Sequence, residues 1–189
     1  MQSLSRTRPR RFGAAATIFA CATAAVAALT TTAGAEGIKL GYSAPFLTDP
    51  FQAIMANQTL KAVAEAGMEA MPATNANGDA GKQATDIRNL VSAGAKVLIV
   101  NPTDSQAIVP VLDFAASKSV PAVLIDIAPA KGKAAMIVRA DNKGIGAKAC
   151  EALGAAIGGK GKVLSLMGDQ ATTNGRDRTS GFNECMKAK

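Results

Sequence analysis

The stretch KVLIVNPTDSQAIVPVLDFAASKSVPAVLIDI, residues 96–127, decides the fold class. It opens with a continuous apolar run, VLIV, of the kind that is covered on both faces in a parallel sheet. A polar turn and a helical pattern follow, in which Pro110 is tolerable only near the first turns of the helix. A second apolar run, PAVLIDI, then begins at residue 121. Strand, helix and strand in this order predict two parallel strands joined by a crossover helix.

The same alternation extends in both directions along the chain. Upstream lie a strand pattern, a helix from Pro50 to about Gly67, a weak second strand and a helix ending at Gly94: IKLGYSA (38–44), PFQAIMANQTLKAVAEAG (50–67), MEAMPAT (68–74) and KQATDIRNLVSAG (82–94). Downstream lie a fifth strand, a helix capped by Asp141 or Asn142, a sixth strand and a final helical pattern: AAMIVRA (134–140), residues 142–158, KVLSLMG (162–168) and residues 174–189. We therefore predict an α/β fold with a doubly wound parallel sheet.

The first 35 residues have the composition of a signal peptide. Four arginines precede the apolar stretch FGAAATIFACATAAVAAL, and the small residues Ala33-Gly34-Ala35 precede Glu36. A membrane anchor is the alternative, but the apolar stretch is rich in Ala and shorter than the ~20 residues that a span needs. Cys21 leaves a lipid-tethered form open. We predict cleavage after Ala35 and a periplasmic protein.

The charge of the chain is concentrated in this leader. The formal net charge is +7, and removal of the four leader arginines leaves 17 Lys and Arg against 14 Asp and Glu, a net charge of +3. A nucleic-acid partner thereby loses its main support. Export also affects the two remaining cysteines, Cys150 and Cys185, for which an oxidising compartment predicts a disulfide. Two buried free thiols are the alternative.

Catalytic patterns are weak. The chain has no histidine, so Ser-His-Asp and Cys-His arrangements are excluded. GDAGKQ (78–83) lacks the first glycine and the Ser or Thr of a phosphate-binding loop, and GIG (144–146) lies inside a helical pattern, where it favours close packing. Two cysteines without histidine disfavour a structural zinc site. We predict no enzyme activity, no metal and no cofactor.

A binding site is the stronger hypothesis. Right-handed crossovers bring the loops that follow the strands to one edge of the sheet, where ligands bind in such folds. Asp49, Asp126 and Arg178 each follow a predicted strand. Carboxylates and guanidinium groups make charge-assisted hydrogen bonds to hydroxyls, and a ring such as Phe46 or Phe51 stacks on the apolar face of a sugar. These residue types therefore predict a polyhydroxylated ligand.

Each of these residues also has a structural alternative. Asp49 before Pro50 is typical of a helix N-cap followed by proline at the first helical position. Phe51 fits a core position, and Arg176 and Arg178 fit a solvated helix start. The convergence of these loops on one sheet edge favours the binding interpretation.

The sequence resembles the periplasmic solute-binding proteins of sugar ABC transporters, in the ribose and galactose binding group. The resemblance covers the chain after the leader and rests on these stretches: DPF (49–51), VNPTDSQAI (100–108), VPAVLID (120–126), ADN (140–142) and GRDRTSGF (175–182). It implies two similar α/β lobes that close on a sugar or polyol, delivery to an ABC permease and no chemical step. A chemoreceptor or sensor kinase is an alternative partner, and an exported α/β enzyme is the alternative from another class.

The resemblance also implies ligand contacts. Asp49 and Asp126 match polar contacts, Phe51 matches a stacking ring and Arg178 matches an arginine of the second lobe, whereas Asn174 stands where some relatives have an acid. Two departures make ribose less suited as a ligand. Ile127 replaces the arginine that follows the acid in ribose binders, and Gln52 replaces their second phenylalanine.

The predicted division of the chain is uneven. We expect a first lobe over residues 36–139 and a crossover with part of a second lobe over residues 140–189. A lobe of this design needs on the order of 100 residues or more. We therefore predict a fragment of a longer protein, or a truncated product, with weak or no sugar affinity in this 189-residue form.

Overall fold

The structure, a computed structural model, describes residues 37–188. Its elements, in chain order, are β1 (Lys39–Ala44), α1 (Pro50–Glu65), β2 (Glu69–Ala70), β3 (Thr74–Asn75), α2 (Ala80–Ser92), β4 (Val97–Val100), α3 (Val109–Ser117), β5 (Ala122–Ile125), β6 (Met136–Val138), α4 (Asn142–Ala156) and α5 (Thr173–Ala188). The predicted leader, its cleavage at Ala35 and the membrane-anchor alternative lie outside the described residues. No helix within residues 37–188 has the length and apolar character needed to cross a membrane.

The strands form one parallel sheet. Its order is β2-β1-β4-β5-β6, and β3 also pairs with β1. Leu40 to Ser43 of β1 lie opposite Val97 to Val100 of β4, which sets the two strand ends level with each other. The parallel α/β sheet predicted from the sequence is confirmed, and the loops that follow β1, β4 and β5 leave the sheet at the same edge.

Helices cover both faces of this sheet. On one face, side chains from β4 and β5 pack against α2 and α3, in a core that contains Ile87, Leu90, Leu98, Val100, Val111, Leu112 and Leu124. On the other face, Tyr42 and Ala44 pack against Ala56 of α1, with Ile99 and Ile125 beside them. Successive residues of β4 thus alternate between the two cores, because side chains of a strand point to opposite faces. The doubly wound arrangement follows from this alternation.

Local sequence signals fix the helix ends. The side chain of Asp49 accepts a hydrogen bond from the Gln52 amide, and Pro50 occupies the first turn of α1. Asp141 caps α4 in the same way through the Gly144 amide. Gly94 follows the last turn of α2 with a φ of 97°, a left-handed conformation that glycine adopts without strain. These three predicted signals are confirmed.

The weak second strand is broken into two short pieces. Glu69–Ala70 and Thr74–Asn75 both pair with β1, and Pro72 lies between them. Proline has no backbone N–H to donate to a ladder, so the pairing is interrupted there. The predicted strand MEAMPAT therefore exists only as two fragments.

The predicted sixth strand, KVLSLMG, is wrong for the structure as described. Residues 162–168 have no strand assignment, and Leu164 and Leu166 are 85% and 89% exposed. A strand becomes stable only when its backbone groups pair with a neighbour, and the described residues contain no strand beside this segment. The apolar pattern alone was an insufficient signal.

The last two helices pack closely on each other. A Cβ on Gly146 would collide with the backbone carbonyl of Arg178, and a Cβ on Gly181 would collide with that of Lys143. Glycine at these positions lets the helix backbones touch, so the packing role predicted for GIG is confirmed. A disulfide between Cys150 and Cys185 also joins α4 to α5. The lobe boundary predicted at residues 139–140 falls between β6 and α4 and stays a prediction.

Candidate ligand-binding site

Asp126 lies at the centre of the candidate site. It follows β5 directly and has a φ of 63°, a left-handed conformation that is uncommon for a residue with a side chain. Its Oδ1 atom accepts a hydrogen bond of 2.8 Å from Asn174 Nδ2. Its Oδ2 atom receives only a long contact of 3.4 Å from Asn101 Nδ2. Oδ2 is therefore the carboxylate oxygen with the greater remaining capacity to accept.

Asn101 occupies the equivalent place at the end of β4. Its side chain is fully buried, and Nδ2 donates at 2.8 Å to Oε1 of Gln52 in the first turn of α1. The buried amide of Gln83 holds this loop: its Nε2 donates to the Asn101 carbonyl at 2.8 Å, and its Oε1 accepts from Thr103 N at 2.7 Å. Asn101 Oδ1 is buried and has no partner among the described residues. It is an acceptor without a donor.

The hydrogen bonds continue from Asp126 into the last two helices. Asn142 Nδ2, at the start of α4, donates to Asn174 Oδ1 at 2.9 Å. Arg178 Nε, on α5, donates to Asn142 Oδ1 at 2.7 Å. We call the six linked side chains the polar chain: Gln52, Asn101, Asp126, Asn174, Asn142 and Arg178. It runs without a break from α1 to α5.

Loop contacts hold α5 against the sheet edge. Ser105 bonds to the Ala171 carbonyl through both its backbone N–H (3.1 Å) and its hydroxyl (2.8 Å). Thr173 Oγ1 lies 3.1 Å from both the nitrogen and the oxygen of Ala128. Arg176 Nη2 donates to Ser105 Oγ at 2.7 Å. The loops after β4 and β5 therefore meet the segment that leads into α5, as the sequence predicted.

Arg139 adds a charged contact at the crossover after β6. Its Nη2 atom donates to Asp177 Oδ2 at 2.6 Å and to Asn174 Oδ1 at 3.2 Å. Its side chain is 22% exposed, which gives this ion pair less screening by solvent than the other described ion pairs have on their basic side. Arg139 thereby links the crossover to α5.

Tyr42 lies close enough to Asp126 of the polar chain to feel its charge. It is fully buried on β1, and its hydroxyl has no hydrogen-bond partner among the described residues. Burial, and secondarily the negative charge of Asp126, raises the pKa of Tyr42 to about 12. The phenol is therefore neutral at physiological pH and is available both to donate and to accept.

A cavity of about 520 Å³ adjoins the α5 end of the polar chain. Its walls include Ile127, Leu166, Asn174, Arg178 and Phe182. The volume suits a small organic molecule. Arg178 donates to Asn142 through Nε, and its two Nη groups have no acceptor among the described residues. They supply hydrogen-bond donors at the cavity wall.

The structure brings three of the five predicted site residues into the polar chain: Asp126 and Asn174 are bonded directly, and Arg178 joins them through Asn142. Asp49 and Phe51 lie at the start of α1, beside Gln52, but no described hydrogen bond joins either side chain to a side chain of the polar chain. Asp49 serves as the helix cap, and Phe51 is 60% exposed. The core alternative for Phe51 is therefore wrong, whereas the cap alternative for Asp49 is confirmed.

Sequence reasoning missed three members of the polar chain and one residue beside it: Gln52, Asn101, Asn142 and Arg139. Asn101 carried a usable signal, because it follows β4 directly as Asp126 follows β5. Asn142 was weighed only as a helix cap. Gln52 was noted only as a departure from the second phenylalanine of ribose binders, and Arg139 gave no signal, because its role depends on which residues the fold sets beside it.

Residues 40–189 match a protein-family model, the periplasmic binding protein domain. The chain belongs to this family. It is 31% identical over 150 residues to the ribose import binding protein RbsB of Bacillus subtilis, a match that covers 79% of this chain and 49% of the relative. The chain thus spans about half the length of the curated relatives it matches.

Solved structures of similar fold agree with this assignment. A Caulobacter myo-inositol binding protein, bound to myo-inositol, is 26% identical with a TM-score of 0.74, over 80% of this chain and 51% of that one. An ABC transporter solute binding protein from Mycobacterium smegmatis, with bound glycerol, is 29% identical with a TM-score of 0.74, over 81% of this chain and 53% of that one.

Proposed function

We propose that this protein captures a monosaccharide or similar neutral polyol in the periplasm and delivers it to an ABC permease. Membership of the periplasmic binding protein family supports the capture. The names of its relatives, which include a ribose import binding protein and a protein bound to myo-inositol, support the ligand class. The export leader predicted over residues 1–35 supports the periplasmic location.

The polar chain is the observation that carries this proposal. It sets a carboxylate, four side-chain amides and a guanidinium group in one connected row between α1 and α5. Asp126 Oδ2 and Asn101 Oδ1 are acceptors with unused capacity, and Arg178 Nη groups are unused donors. Hydroxyl groups, which donate and accept, match both kinds of group at once.

The charges favour a neutral ligand over a sugar acid. Asp126 is the acidic member of the polar chain, and a carboxylate on the ligand would meet it in a partly buried setting. Asp177 neutralises Arg139 in the structure, which leaves Arg178 as the cation of the polar chain that balances the charge of Asp126. The departures at Gln52 and Ile127 also remove groups that ribose binders use, so we expect a ligand other than ribose.

The mechanism is lobe closure without a chemical step. A ligand that contacts Asp126 of the first lobe and Arg178 of the second lobe gains both contacts only when the two lobes are closed. It thereby stabilises the closed arrangement by its differential affinity, and the permease recognises that arrangement. A chemoreceptor or sensor kinase is the alternative receiver, and uptake of labelled ligand by cells lacking the gene distinguishes the two.

Calorimetric titration of the full-length product of the gene tests the proposal, because weak or no sugar affinity is expected of the 189-residue form. The panel comprises ribose, glucose, xylitol, myo-inositol, glycerol and glucuronate. We expect a neutral sugar or polyol to bind, Asp126→Ala to lose that binding, and the matched variant Asp113→Ala, an exposed carboxylate on α3, to keep it. Mass spectrometry should recover the ligand unchanged. Absence of binding across the panel, or preference for glucuronate, would refute the proposal.

A further inference from the structure

Asn174 has both ends of its side-chain amide bonded by the protein. It is buried, at 7% exposure, although it stands at the start of a helix. Its Nδ2 donates to Asp126 Oδ1 at 2.8 Å. Its Oδ1 accepts from Asn142 Nδ2 at 2.9 Å and from Arg139 Nη2 at 3.2 Å. The carbonyl oxygen therefore has no lone pair left for a ligand.

These hydrogen bonds determine which carboxylate oxygen of Asp126 is more available to a ligand. With Oδ1 held by Asn174, the carboxylate cannot rotate freely, and Oδ2 is the oxygen with more capacity left to receive a ligand hydroxyl. The left-handed backbone of Asp126 fixes the starting direction of the side chain, and the bond from Asn174 fixes its end. A carboxylate held at both ends is preorganised, so less conformational entropy is lost when a ligand binds.

We propose that Asn174 is a positioning residue rather than a ligand contact: its amide orients Asp126 and joins it to α4, α5 and the crossover. This inference rests on the proposed function for its effect on affinity, but its effect on the ligand-free protein stands by itself. It revises the role that the family resemblance implied for Asn174.

An amide is the required group at this position. It donates on one side, to a carboxylate, and accepts on the other, from an amide and a guanidinium group. An ionised aspartate of the same shape has no donor for Asp126, so two carboxylates would face each other. The charged or titratable groups around this point are Asp126 after β5, Arg139 after β6, Asp177 and Arg178 on α5 and Tyr42 on β1.

Asn174→Asp converts this geometry into a pH-dependent defect. At pH 8 both carboxylates are ionised and repel each other, an effect that Arg139 offsets only in part because it is already paired with Asp177. Near pH 5 two carboxylates this close share a proton, which restores a hydrogen bond between them. The loss of ligand affinity and of stability in this variant should therefore be large at pH 8 and small at pH 5.

The first experiment measures ligand affinity between pH 5 and pH 8 with whichever neutral panel member binds the wild type. We expect a nearly flat profile for the wild type and for the control Asn89→Asp, which makes the same exchange at an exposed site on α2. Asn174→Asp should bind on the order of 10-fold more weakly at pH 8 and within about 3-fold of wild type at pH 5. Asn174→Ala should be weak throughout. A flat profile for Asn174→Asp, or wild-type affinity for Asn174→Ala, overturns the inference.

The second experiment needs no ligand and separates this inference from the proposed function. Urea unfolding of the same four proteins should give a midpoint for Asn174→Asp that lies below the wild type at pH 8 and approaches it at pH 5. The difference between Asn89→Asp and the wild type should not change with pH. If no ligand binds but this pattern appears, the positioning role holds and the proposed function fails; without this pattern the inference fails.

Discussion

Asn174 Nδ2 and Asp126 Oδ1 are joined by a hydrogen bond of 2.8 Å across 48 residues of sequence. One partner lies at the end of a sheet strand and the other at the first turn of α5. This bond is the centre of the polar chain, and through it a residue of the sheet edge and the last two helices contribute to one site.

Arg178→Ala should remove most of the ligand affinity while leaving the fold intact. The Arg178 side chain is exposed and makes one described hydrogen bond, to Asn142, whereas a charge-assisted bond to ligand is worth ~1.5–3 kcal/mol. Affinity should therefore fall roughly 10-fold to 100-fold. Calorimetry measures the affinity and circular dichroism the fold. Arg88→Ala, which deletes an exposed arginine of α2, is the control. Equal affinity in the two variants would contradict a ligand contact and support the alternative that Arg178 is part of a solvated helix start.

Asp49→Ala should lower the free energy of unfolding by about 1 kcal/mol, because the Gln52 amide loses its cap acceptor. Asp49→Asn keeps a capping oxygen and removes the charge. Urea unfolding measures the cap, and titration measures ligand affinity. If Asp49 also contacts the ligand through its charge, the Asn variant should be stable but bind weakly. Normal stability in the Ala variant would contradict the capping role.

Loss of the Cys150–Cys185 disulfide should destabilise the protein. The bond closes a loop of 35 residues between α4 and α5, for which the chain-entropy relation gives roughly 4 kcal/mol. Reduction, or the double change Cys150→Ala and Cys185→Ala, should lower the unfolding midpoint. Mass spectrometry of the exported protein under non-reducing conditions checks the bond itself. Two free thiols in that protein would rule the disulfide out.

Tyr42 should make the fold sensitive to alkali. Its pKa is raised from 10.0 to about 12 in the folded protein, so its stabilising contribution is complete below pH 10 and is lost as the pH rises through 12. The shift corresponds to roughly 3 kcal/mol. Tyr42→Phe should therefore lose less stability than wild type between pH 10 and pH 12 in urea titrations. Parallel losses in the two proteins would show that the phenol does not titrate in this way.

The sheet was predictable because its signals are local. The apolar runs 97–100 and 122–125, the cap at Asp49 and the stop at Gly94 each depend on a few neighbouring residues. KVLSLMG misled because its pattern shows only that a strand is possible, while pairing depends on a neighbour elsewhere in the chain.

The site was predictable only in outline. Asp126 and Arg178 were predicted as site residues because their residue types and loop positions point to hydroxyl binding. The partners that orient them could not be, because Gln52, Asn142 and Arg139 come from three other elements and meet only after folding. Asn174 shows the same limit: its position suggested a ligand contact, but its neighbours use both ends of its amide.

A crystal structure of the protein with a bound neutral sugar or polyol tests the central claim most directly. The account predicts a ligand hydroxyl within hydrogen-bond distance of Asp126 Oδ2, a second polar group of the ligand at the Arg178 guanidinium, and Asn174 still bonded to Asp126 Oδ1. A ligand bound on another surface, with Asp126 and Arg178 untouched, would contradict it.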